Sequence, residues 1–154
     1  MYNHAPENYV CPLCQIARGE VTSRGSQEEA VIYRDARVTV FIAGCWWRSN
    51  PGHVIVVPNI HKENIYEMSP GLGGHIFDLT SQVARALKTT YSCDGVTIRQ
   101  NNEPAGGQDT WHYHTHVIPR MTDDHHYDNL HNTYWPDMDE KRPYAEKLRA
   151  FMQK

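Results

Sequence analysis

No apolar run in this 154-residue chain approaches the roughly 18 residues that a membrane span requires, so no role inside a bilayer is expected. The N-terminal Met1-Tyr2-Asn3-His4 has neither the basic stretch nor the apolar core of an export signal, and a cytoplasmic location is the expectation. Positive charge is not in excess. Lys and Arg number 15 against 18 Asp and Glu, a net charge of −3 with histidine neutral. Surfaces that hold nucleic-acid polymers are normally basic, so a polymer partner is not expected. A mononucleotide needs only one or two local contacts and stays open. Repeats and low-complexity tracts are absent. Cysteine is sparse, at four residues, and two of these form Cys11-Pro12-Leu13-Cys14. In a reducing compartment such a pair reads as metal-binding or redox-active rather than as a structural disulfide.

The length fits one domain with a core of its own. Ala30–Tyr33 and Val38–Ala43 read as short strands around the turn-like Arg34-Asp35-Ala36-Arg37. Thr22–Glu29 and Gly44–Gly52 read as loops, the second carrying Trp46 and Trp47. Val54–Val57 is a β-branched run stopped by Pro58, the pattern of a buried strand. Ser69-Pro70 marks a helix start. From Leu72 to Thr90 the residues Ile76, Leu79, Val83, Ala86 and Leu87 recur on one helical face. Val96–Gln100 and Trp111–Ile118 read as strands and Lys141–Phe151 as a terminal helix. Asp123–Tyr134, with His125, His126 and His131 among Asp123, Asp124 and Asp128, reads as a solvated polar loop, the alternative being another metal or phosphate contact. Strand pairs grouped around a long helix point to an α+β fold with a mainly antiparallel sheet.

The segment Trp111-His112-Tyr113-His114-Thr115-His116-Val117-Ile118 alternates with period two. On a strand, that places the three imidazoles on one face. A neutral imidazole attacks phosphorus near pH 7, and a neighbouring imidazole holds a phosphate oxygen or passes a proton. Clustered imidazoles also disfavour one another's protonation, which keeps one of them nucleophilic. Two other readings remain at this point: an edge with incidental histidines, and a single metal held by all three.

The run His112–Arg120 resembles the signature of the histidine-triad (HIT) superfamily of nucleotide hydrolases and transferases. Asn101–Gln108 is similar to the loop that precedes the triad there. Pro51-Gly52-His53-Val54-Ile55-Val56-Val57-Pro58, followed by His61, is similar to its proline-glycine-histidine strand. The resemblance covers roughly Cys11 to Arg120. It implies a single-domain HIT-like fold with a five-stranded sheet, commonly paired as a homodimer. Residues 1–120 would form the HIT domain with its N-terminal zinc-binding segment, and 121–154 a helical extension of the same domain. It implies a nucleotide or nucleotide-conjugate substrate cleaved at the α-phosphate. His114 would be the nucleophile, His116 would contact phosphate or leaving group, and His53 would support the histidine network. Asn101 and Gln108 would position the substrate. The zinc-containing bacterial type further implies a structural Zn²⁺ on Cys11, Cys14, His61 and His112. Two thiolates with two imidazoles suit tetrahedral zinc and leave no open position.

Two departures bear on the substrate. Many relatives carry an acid after the second strand that holds the ribose hydroxyls; here that place falls on Ala43 or Cys45. Asp109 stands beside Gln108 where relatives usually have a small hydroxyl residue. A carboxylate there repels phosphate or orients a histidine. The alternative to an active hydrolase is therefore a nucleotide-binding protein with structural zinc and little or no turnover. Trp46 and Trp47 either stack on a base or pack into the core or an interface.

Overall fold

The computed structural model describes residues 2–153. Helix α1 (Pro12–Ala17) begins at Cys11, whose Sγ accepts from the Cys14 N–H, with Pro12 preset for the first helical position. The strands β1 (Val31–Arg34), β2 (Val38–Ile42), β4 (Val54–Pro58), β5 (Gly95–Gln100) and β6 (Thr115–Arg120) form one antiparallel sheet, in the order β1-β2-β4-β6-β5. The long helix α2 (Pro70–Thr90) packs against β4 and β6. The residues expected on its inner face, Ile76, Leu79, Val83, Ala86 and Leu87, are all buried. Helix α3 (Met138–Met152) packs against α2 and β1. Together these elements make a single α+β domain, as the element order predicted.

Register fixes what the sheet presents. Phe41 pairs with Ile55, Ile55 with His116, and His116 with Arg99, so these four side chains share one face. The alternate face carries Val40, Val54, Val56 and Val117, all fully buried. One face of the sheet is thus core and the other is free to carry chemistry.

The structure departs from the sequence reading in four places. Pairing of the histidine segment starts only at Thr115, not at Trp111. The reason is local: the Tyr113 N–H donates to the Lys62 carbonyl, and the His112 carbonyl accepts from His114 Nδ1. Those groups are thereby withdrawn from a ladder. Trp46–Trp47, expected in a loop, forms a short strand β3 paired with β7 (Thr133–Tyr134). Ala30 ends a 3₁₀ turn, and β1 extends through Arg34. The terminal helix starts at Met138 because Asp137 caps it, accepting from the Glu140 N–H at 2.9 Å.

Gly52 shows why one motif residue has no side chain. Its φ is +74°, and a Cβ there would lie 2.9 Å from Tyr144 Cγ. Both the left-handed backbone and the α3 ring on top of it demand glycine. Gly52→Ala is expected to lower unfolding free energy by about 2–3 kcal/mol, read as a lower urea midpoint at unchanged slope. A variant as stable as the wild type would contradict this packing.

Candidate active site and metal centre

Cys11 at the start of α1, Cys14 within it, His61 after β4 and His112 before β6 converge, with all ligand atoms within 4.8 Å of one another. Cys11 Sγ and Cys14 Sγ lie 3.3 and 3.4 Å from His112 Nδ1, and Cys14 Sγ lies 3.3 Å from His61 Nδ1. Sulfur and nitrogen ligands on one tetrahedral zinc stand ~3.6 Å apart, given Zn–S near ~2.3 Å and Zn–N near ~2.0 Å. The cluster therefore has the dimensions of a closed Cys₂His₂ metal centre. Its outer partner is present too. His112 Nε2–H donates to the Pro58 carbonyl at 3.0 Å, which leaves the Nδ1 lone pair facing the sulfurs. A redox role fits poorly, because burial pushes the Cys11 thiol up to about 12, whereas redox cysteines are acidified.

The backbone turn at His112–His114 separates the triad. His112 faces the cysteines, while His114 and His116 face a cavity of about 350 Å³. His53, Ile55, Phe41, Ala43 and Asp109 also line it. The single-metal reading of the triad is thereby set aside: among the described residues, only His112 of the three belongs to a metal-capable cluster. His114 Nδ1 lies 2.7 Å from the His112 carbonyl and donates to it, so Nε2 carries the free lone pair. The His114 and His116 rings are 4.9 Å apart between centroids. His116 Nδ1 lies 3.4 Å from His53 Nε2, and the His53 ring packs on Trp47 at 4.8 Å. Burial holds His53 down to about 3, with Arg99 and the neighbouring imidazoles adding to it. Burial likewise holds His116 and His114 below the usual imidazole range; His114 and His53 reinforce this at His116, and Asp109 opposes it at His114. Burial thereby favours the neutral form of all three rings.

Asp109 lines the cavity beside these rings. Asn101 and Gln108 do not. Gln108 donates to the Glu63 and Thr110 carbonyls and accepts from the Glu103 N–H, while Asn101 donates to the Gly107 carbonyl. Both amides are committed to holding the loop that precedes the histidines.

Two open sequence readings resolve in this region, Trp46 into the core and His126 away from solvent. Trp46 is fully buried, and its indole donates to the Ala43 carbonyl. His126, read as part of a solvated loop, is 1 % exposed; its Nδ1 pairs with Asn50 Oδ1 and its ring meets Trp47 edge-on. Asp124 holds this corner through Arg120, Asn50 and the His126 N–H. The Arg120 contact leads in keeping its carboxyl below the usual range. Within that otherwise exposed loop, His126 and the Asp124 carboxylate form an inner wall behind Trp47. Lys141 and Trp135 reach the cavity from the C-terminal extension, and Arg24 and Gln27 reach it from the loop before β1.

The fold and site define an α+β domain in which a metal-capable Cys₂His₂ cluster adjoins a cavity of neutral imidazoles. Comparison with known proteins makes this specific. Residues 24–123 match the HIT domain, and the chain belongs to the HIT family. The protein hit of Bacillus subtilis is 33 % identical over 117 residues, spanning 76 % of this chain and 74 % of that one. A Hit-like protein from Bartonella henselae superposes with a TM-score of 0.75 at 24 % identity, covering 96 % of this chain and 99 % of the other. A zinc-bound histidine triad family protein from Mycobacterium smegmatis gives a TM-score of 0.73 at 23 % identity, covering 93 % of each chain. Among the described residues no helix is long and apolar enough to cross a membrane.

Proposed function

We propose that this chain binds a nucleotide or nucleotide conjugate with its α-phosphate against His114 and His116, and that it holds a structural zinc on Cys11, Cys14, His61 and His112. The observation that carries this reading is the pair of opposite duties two residues apart: His112 turned into the metal cluster, His114 turned into the cavity. The cluster's four donors leave no open coordination position, so the ion fixes the N-terminal segment against the approach to β6 and does not touch substrate. The zinc-bound relative from Mycobacterium smegmatis supports zinc as the metal.

A finer reading, turnover through a covalent adduct, is favoured by the His114 tautomer. With Nδ1–H donated to the His112 carbonyl, Nε2 attacks the α-phosphorus. A nitrogen–phosphorus bond forms and the bond to the leaving group breaks; the leaving group departs with the bonding electron pair and takes a proton from water. Water then cleaves the adduct and returns free His114. His116 contacts the phosphate, and His53 braces His116 from behind. Asn101 and Gln108 act in this reading by fixing the loop that places Asp109 and the triad. Asp109 favours slow turnover, because its carboxylate lines the cavity where phosphate must come.

The test is binding of AMP to the zinc-loaded protein by calorimetry. Saturable one-to-one binding is expected, and Ile55→Trp, which fills the cavity floor beside His116, is expected to weaken it at least tenfold. Equal affinity in both proteins would place the nucleotide elsewhere and overturn the reading.

A further inference from the structure

Lys141 is a buried charge with little compensation. It stands in the first turn of α3, where the helix dipole disfavours a cation, and it is 5 % exposed. Among the described residues no carboxylate pairs with it. Its Nζ has one hydrogen bond, to Gln27 Oε1 at 3.2 Å. A buried ammonium with a single neutral partner costs stability, and such a group on the wall of a cleft is a candidate ligand contact.

The cleft is the histidine cavity itself. Its lining includes Arg24, Gln27 and Lys141, together with Gly44 and Cys45 just beyond β2. Arg24 is held in place there. Its guanidinium lies 3.4 Å from the centroid of the Trp135 ring, and that indole in turn rests against Gly44, where a Cβ would come within 2.9 Å of it. A guanidinium stacked flat on an indole keeps its N–H edge free for a planar or tetrahedral anion. Among the described residues Asp109 is the only acid on the cavity wall, and it stands with the histidines. Across the sheet, β2 is two strands from His116, roughly 10 Å. One sugar bridges two charged groups over that kind of distance. Where relatives place an acid for neutral hydroxyls, this cavity has Ala43 and two cations.

We infer that Lys141, Arg24 and Gln27 form a second anion subsite, and that it takes a phosphate carried on the sugar of the bound nucleotide, as a 2′- or 3′-phosphomonoester. This inference rests on the nucleotide reading and narrows it to nucleoside bisphosphates. The second phosphate brings to Lys141 the direct ion-pair partner it lacks, Asp137 acting on it only from beyond contact distance.

Calorimetric titration of the zinc-loaded protein with AMP, adenosine 3′,5′-bisphosphate, adenosine 2′,5′-bisphosphate and inorganic phosphate tests it. At least one bisphosphate is expected to bind tenfold or more tighter than AMP. Lys141→Met should bring that ratio near one, and Lys141→Arg should keep most of it. Gln27→Glu, which supplies a carboxylate in place of the ligand, should lower the ratio without removing the lysine. Binding of AMP with no preference for either bisphosphate, or a preference that survives Lys141→Met and Gln27→Glu, would overturn the subsite and leave the nucleotide reading intact. Inorganic phosphate binding as tightly as the bisphosphates, in a Lys141-dependent manner, would overturn the sugar-borne assignment. Failure of AMP and both bisphosphates to bind would overturn both readings.

Discussion

Replacing His114 by alanine is expected to abolish the nucleotidyl–protein adduct and to cut single-turnover cleavage of an adenosine phosphoramidate by about 10³-fold or more. The size of the effect follows from geometry. His114 lies in the cavity with its Nδ1 committed to the His112 carbonyl, so Nε2 is the atom presented to phosphorus. Burial keeps the ring neutral, and a neutral ring is the nucleophilic form. His53 is not an equivalent substitute, because its Nε2 faces His116 Nδ1 at 3.4 Å. Rapid quenching followed by intact-mass measurement should show the wild type heavier by one nucleotidyl group and His114→Ala unshifted. Equal turnover in the two proteins would refute the covalent reading and leave binding alone. An adduct in neither protein, with AMP still bound, would identify a non-catalytic nucleotide binder.

Removing the metal is expected to be the largest single loss of stability. Cys14→Ala deletes one of four ligands from a cluster that joins α1, the segment after β4 and the approach to β6. Metal binding energy is folding energy when the site exists only in the folded chain. For a domain of this size a loss of about 3 kcal/mol lowers Tm by about 10 °C. Cys14→Ala and chelator-treated wild type should melt alike, about 10 °C below the zinc-loaded protein, and elemental analysis of Cys14→Ala should find less than one-tenth of an equivalent of zinc. Nucleotide affinity should fall in the same samples, since His112 and His114 are two residues apart on one turn of chain. Full zinc occupancy in Cys14→Ala, or a wild type indifferent to chelation, would contradict the structural assignment.

The parts of this molecule that were legible in its sequence are those where one physical rule acts alone. The helical spacing of Ile76 to Leu87 and the β-branched run Val54–Val57 each have a single burial solution, and both elements form where the pattern places them. The pair Cys11–Cys14 and the residues His61 and His112 were readable through family resemblance, and the chain brings them together. Period two misled at His112–His114. Alternation describes a strand only when the backbone is free to pair, and here the Lys62 carbonyl and the His114 side chain claim that backbone first. Lys141, Trp135 and Arg24 had no signal at all. Lys141 sits in a helix of alternating charge, which reads as a solvated face, and only tertiary packing turns it inward. His126 was hidden for the same reason, since its partner Asn50 lies 76 residues away.

The measurement that bears most directly on the central claim is a crystal structure of the zinc-loaded protein with AMP. The α-phosphate is expected between His114 Nε2 and His116, the sugar directed along Phe41 and Ile55 toward Ala43, and a four-coordinate ion on Cys11, Cys14, His61 and His112. AMP seated outside this cavity, or an ion bound by His114 or His116, would contradict it.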